Sequence, residues 1–175
     1  FLVPDGVGQN LLSDENLWSA VINVNYGDFD YHCGGDILGG YGDWRNVETR
    51  VGKIIGETDV VNSNHHAYKD AMNADFVNST RSQVYVIPVW DCYHPEEAPL
   101  ARMLDSSESE KMVFAAGMVE SNRMRLLENG ERIKPEGHVV VRVYEGGGEF
   151  QVFVLNDRNT DYDVIYKTER ITSNK

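Results

Sequence analysis

The chain has 175 residues, 28 of them Asp or Glu and 16 Lys or Arg, so its net charge is -12 and its pI lies near 4.7. That length fits one domain, or at most two small ones, and a chain of this size buries about 70% of its unfolded surface without needing a metal or a disulfide mesh. The acidity argues against nucleic acid, where affinity comes from Lys and Arg on phosphates, and against an anionic membrane surface.

The sequence has no apolar run near the roughly 20 residues that cross a bilayer, so no direct membrane insertion within 1–175 is expected. It opens at Phe1 rather than Met, and the expectation is that a targeting or anchoring segment preceding it has been removed.

Residues 1–16 are turn-rich and read as an extended arm, with residues 17–175 as one globular, strand-rich domain. Apolar Phe1, Leu2, Val3, Leu11 and Leu12 predict that the arm docks, and a subunit contact is the expected place. Residues 17–25 alternate as a first strand, with a helix capped by Ser13-Asp14-Glu15 as the competing reading.

Between positions 26 and 44 lie six glycines in 19 residues, which predicts a shaped loop rather than a helix. Residues 46–56 suit a short helix or a strand. Residues 62–75 are the best helix candidate, with Ser63 or Asn64 as cap and Ala67, Ala71 and Ala74 at helical spacing.

Residues 82–91 predict a strand that Pro88 places at an edge or a bulge. Residues 95–110 form an acidic excursion with a helical turn at 98–104. Residues 111–119 and 122–127 look extended, and Asn129-Gly130 reads as a turn. Residues 138–145 and 149–155, joined by Gly146-Gly147-Gly148, make the clearest hairpin. Residues 162–172 supply a last strand. The sum is an α+β, mainly β fold: an antiparallel sheet or sandwich of six or seven strands with one or two short helices.

The two cysteines, Cys33 and Cys92, are either buried thiols or one disulfide. The disulfide is the expected state; it would close a loop of about 60 residues, worth about 4 kcal/mol in the chain-entropy account, and would imply an oxidising compartment. Asn78-Ser79-Thr80 is a glycosylation triplet that points the same way.

Adjacent His65 and His66 invite a metal or nuclease reading, with Asp70 four residues after His66. On a helix the two rings diverge by about 100°, so a solvated or capping pair is the stronger expectation. Asp157, Asn159, Asp161 and Asp163 alternate like the start of a calcium loop. Tyr162 and Thr168 stand where that loop needs Gly and Glu, so a polar turn is expected and no metal. Asp28, Asp30, Asp36 and Asp43 raise the same question with less pattern.

Nucleophile elbows, phosphate-binding loops and zinc-protease helices are all absent from the sequence. His32 and His94, each near a cysteine, are the local candidates for a base beside a catalytic thiol. The aromatics Tyr26, Phe29, Tyr31, Tyr41 and Trp44, with Trp90 and Tyr93 flanking Cys92, form either a core under the loop or a glycan-binding face. The named ligand-binding candidates are Tyr41, Trp44, Trp90 and Tyr93.

Over residues 31–120 the order of features resembles tight-adherence (Flp-type) pilus-assembly proteins of the TadE/TadG kind. The similar stretches are Cys33 through Trp44, Gly56-Glu57-Thr58 before a short helix, Val86-Ile87-Pro88-Val89-Trp90-Asp91, and Met112-Val113-Phe114-Ala115-Ala116-Gly117-Met118. The resemblance implies an extracytoplasmic structural or assembly role without catalysis.

The function expected on these grounds is a non-catalytic subunit of a pilus-like or other surface assembly, extracellular, without cofactor, partnered by other protein subunits. A carbohydrate-binding or calcium-dependent adhesion module is the alternative. A hydrolase with an unrecognised site is the third.

Overall fold

A computed structural model describes residues 14–40, 44–89, 91–105 and 111–174. The fold is sheet-rich α+β, with nine strands in two sheets and five mostly short helices among the described residues.

The first sheet runs β1 (Ile22–Tyr26), β2 (Phe29–Cys33), β3 (Val60–Asn62), β4 (Val84–Ile87) and β5 (Met112–Ala115), neighbouring in that order. Only the β1–β2 hairpin is antiparallel; β2 to β5 are parallel. Parallel neighbours need crossovers. They are supplied by α1 (Glu48–Ile55), α2 (Ala74–Thr80) and α3 (Glu97–Leu104), each lying between successive strands in the chain. The second sheet is antiparallel: β6 (His138–Val143), β7 (Glu149–Leu155) and β8 (Val164–Lys167), with β9 (Ile171–Thr172) also on β7.

The period-2 alternation of strands sorts the interior into two cores. Val61, Tyr85 and Val113 face the helices, packing with Phe76, Val77, Leu100 and Met103. Their neighbours Val60, Val84 and Phe114 face the second sheet, meeting Phe150, Val152 and Val154. The layers are therefore helices, mixed sheet and antiparallel sheet. Each fully buried side chain of this kind contributes about 1.5–3 kcal/mol.

The two sheets also meet at their turns. Gly27, at φ +58°, lies so close to the Gly146 carbonyl that a Cβ would overlap it, and Gly147, at φ +77°, abuts the Tyr26 carbonyl in the same way.

Several expectations are corrected. The interval 62–75 is not a helix: a 3-10 turn at Asn64–Ala67 is followed by irregular chain, and α2 begins only after Asn73 caps it through Phe76 N. Residues 122–127 are not extended, because α4 (Glu120–Arg125) occupies them, and Asn129-Gly130 lies within α5 (Leu127–Glu131). Pro88 marks no edge: β4 is interior and ends at Ile87, before the missing N–H would matter.

The glycine-rich stretch holds a full strand, β2, between its glycines. At the N-terminus, Glu15–Trp18 forms a 3-10 turn capped by Asp14, so the strand begins later, at Ile22. Residues 1–13 of the arm lie outside the described residues. Its last residues are tied down, Asp14 by an ion pair with Arg45. No helix among the described residues is long and apolar enough to cross a membrane.

A candidate histidine–aspartate site

In open parallel sheets, ligands sit beyond the carboxyl ends of the strands. Here three of those ends deliver titratable side chains. Asp36 follows β2, His65 and His66 follow β3, and His94 lies in the loop after β4.

His66 is the centre of the cluster. Its Nδ1 faces the Pro88 carbonyl at 2.5 Å, so in the neutral ring Nδ1 carries the proton and donates it, leaving Nε2 bare. That Nε2 lies 3.5 Å from Asp36 Oδ1. His94 stacks on His66, with centroids 4.8 Å apart and planes at 15°. Its Nδ1 accepts the Asp91 N–H at 3.3 Å, so Nε2 carries the ring proton. Burial holds its pKa down, against the pull of Asp91.

On the other side, His65 Nδ1 meets Asp70 Oδ1 at 3.0 Å. That hydrogen bond raises the His65 pKa against its burial. Burial alone would raise the Asp70 carboxyl, but the same bond and the histidine charge hold it low. Tyr68 packs edge-on against both His65 and His94, at 5.6 Å from each.

The backbone here is unusual. His65, His66 and Ala67 all sit at positive φ, 44°, 55° and 55°, where each non-glycine residue costs about 1–2 kcal/mol. Such conformations persist only where surrounding structure imposes them, and they concentrate at functional sites. Left-handed backbone also removes the objection to adjacent histidines, since the pair no longer lies on a regular helix.

Carbonyl-held Nδ1 with free Nε2 is the arrangement of metal-binding histidines. Two donors at zinc distances, about 2.0–2.2 Å, stand about 3.4 Å apart at a tetrahedral angle; Asp36 Oδ1 and His66 Nε2 are 3.5 Å apart. Among the described residues no group of three or more His, Cys, Asp or Glu could hold a metal ion. The pair is thus a two-donor arrangement.

The other candidate residues are scattered. Cys33 ends β2, half-buried with Asn62 Nδ2 3.6 Å from its sulfur, and Cys92 is exposed; both are free thiols, so the expected bridge is not formed. Among the described residues neither thiol is hydrogen-bonded to a histidine. His32 is fully buried, tilted against Phe76 at 5.4 Å.

Asp157, Asn159, Asp161 and Asp163 lie in the exposed β7–β8 loop, where the Asn156 and Asn159 side chains accept backbone N–H groups two residues on. Trp44 carries Arg45 over its ring at 5.4 Å, and Tyr93 is exposed. Tyr41 and Trp90 lie outside the described residues. Phe29 is core, packed on Phe150. Asn78 is exposed, but on α2 instead of a loop.

The sequence matches no known family model and no curated protein.

Proposed function

We propose that this protein is a hydrolase, the third of the functions the sequence suggested, with a centre at Asp36 and His66 that takes a divalent cation where the sequence reading expected no metal. The observation that carries it is the His66 ring: Nδ1 bound to the Pro88 carbonyl and Nε2 aimed at the Asp36 carboxylate. Two protein donors, Asp36 and His66, would leave coordination positions for water and substrate, and a divalent cation held by them would lower the pKa of its bound water towards about 7. His94, with its proton on Nε2, supplies a donor beside His66 for charge that develops on the substrate. The Asp70-bound His65, whose pKa that hydrogen bond raises, lies on the other flank.

The test is hydrolysis of a chromogenic phosphodiester and a chromogenic ester panel with zinc or manganese added. Metal-dependent turnover that falls at least about 100-fold in His66→Ala supports the reading. Turnover that ignores both the metal and His66 overturns it.

A second reading, a subunit of a pilus-like or other extracellular surface assembly partnered by further protein chains, has one observation in its favour. Strand β1 is a sheet edge, and its Ile22, Val24 and Tyr26 are 55%, 49% and 51% exposed. Among the described residues no strand pairs with the outer side of β1, and an apolar edge of that kind invites an added strand.

A further inference from the structure

Glu48 opens α1 and is completely buried, yet it is not part of the histidine cluster. Its Oε1 accepts Asn64 Nδ2 at 2.9 Å and Met72 N at 2.7 Å, and its Oε2 accepts Asn73 N at 2.8 Å. These three donors bracket the segment 64–73, which carries His65, His66 and Asp70 between them. One carboxylate therefore holds both ends of the site loop.

The same side chain reaches the second loop. Its Oε2 lies where a Cβ on Gly39 would fall, 1.9 Å away, so only glycine lets the 34–40 loop lie over the carboxylate. The Glu48 amide donates to the Leu38 carbonyl at 3.1 Å. The two loops are then tied to each other by His65 N to Gly35 O at 2.9 Å and Gly39 N to Asp70 O at 2.7 Å. Asp36 lies on one loop and His66 on the other.

Arg102 of α3 reinforces the clamp from behind, donating to the carbonyls of Met72 at 2.7 Å and Ala71 at 3.1 Å. A three-residue left-handed run relaxes unless something opposes it, and Asn64, fastened to Glu48, immediately precedes that run.

We propose that Glu48 is the positioning residue of the site: its buried carboxylate fixes the segment 64–73 against the 34–40 loop and so sets the His66–Asp36 separation. The inference rests on the hydrolytic reading for its purpose, but its geometry is tested separately. Acceptance at both oxygens is required, which a carboxyl provides and an amide does not, since an amide in its place would direct an NH2 group at a backbone N–H.

The experiment compares wild type with Glu48→Gln by amide hydrogen exchange and by calorimetric titration with zinc alone. The account expects the His65 and Gly39 amides to lose protection while the sheet amides of Val61 and Tyr85 keep theirs. Zinc affinity should fall about 10–100-fold, the usual cost of losing a supporting partner. If Glu48→Gln does not fold, Asn64→Ala replaces it. That variant should expose the His65 amide and leave Gly39 protected, because Met72 and Asn73 still hold the far end. Unchanged protection of His65 in a folded variant overturns the proposal. Absence of zinc binding in wild type instead overturns the hydrolytic reading, and the exchange pattern still decides the clamp.

Discussion

His66 Nε2 and Asp36 Oδ1 stand 3.5 Å apart although 30 residues of chain separate them. The strands behind them explain it. β2 and β3 are parallel neighbours, with Cys33 in register with Asn62, so the loops leaving their ends emerge side by side. Replacing Asp36 by Asn keeps the shape and removes the charge. We expect Asp36→Asn to leave the melting temperature within a few degrees of wild type, as for half-exposed surface changes, while abolishing metal-dependent turnover. Differential scanning calorimetry with the chromogenic assay checks both.

The thiols give a direct chemical prediction. With both cysteines free, a thiol reagent should titrate two groups in the unreduced protein, Cys92 quickly and half-buried Cys33 more slowly. Recovery of one linked peptide containing both residues would show the bridge that the sequence suggested.

Two buried groups set opposite pH dependences. Burial pushes the His32 pKa down to about 4, with Asn64 pulling weakly upward. The unfolded chain therefore binds the proton first, and stability falls as pH drops from about 6.5 towards 4. Burial pushes the Glu48 carboxyl up to about 7, against its three donors and Arg102. Here the folded state holds the proton longer, so stability falls as pH rises from about 4.5 to 7. The two slopes oppose each other in wild type. His32→Phe should leave a protein that loses stability with rising pH across this window, and Glu48→Gln one that loses it with falling pH. Urea denaturation at pH 5 and 7 reads the sign.

The sandwich interior offers a stability test. Phe114 and Phe150 are both fully buried between the sheets. Phe150→Ala should cost about 3–5 kcal/mol, as large aromatic truncations do. A loss below about 1 kcal/mol, measured by urea denaturation, would mean the second sheet does not pack as described.

The edge strand β1 gives the assembly reading its own test. Val24→Lys places a charge on the apolar side of β1. If that edge recruits another chain, light scattering should show association in wild type and none in the variant. A wild type that stays monomeric at high concentration would remove the support for that reading.

The sequence carries the antiparallel half of this fold openly. Alternation in 149–155, with Phe150, Val152 and Val154 inward, and the run of glycines at 146–148 specify the β6–β7 hairpin. The parallel half is hidden because its strands are short and buried on both faces. Val60 and Val61 point to different cores, so β3 shows apolar residues without alternation. The helices at 120–131 were obscured by Asn129-Gly130, a pair that signals a turn locally and is overridden by tertiary packing, with Gly130 buried. Adjacent histidines were visible, but a helical reading set their rings apart, and the positive φ values that bring them into the site have no signature in Asn-His-His-Ala. His94 and Asp36 join them only through the parallel topology. Glu48 falls in the stretch 46–56, which the sequence leaves open between a short helix and a strand, and nothing local marks it as buried.

The most direct test of the central claim is calorimetric titration of the wild-type chain with zinc, alongside His66→Ala and Asp36→Asn. The account predicts saturable binding at one site in wild type and its loss in both variants, the first of which removes a donor and the second the charge of the other. Saturable zinc uptake that persists in both variants, or none in wild type, would contradict it.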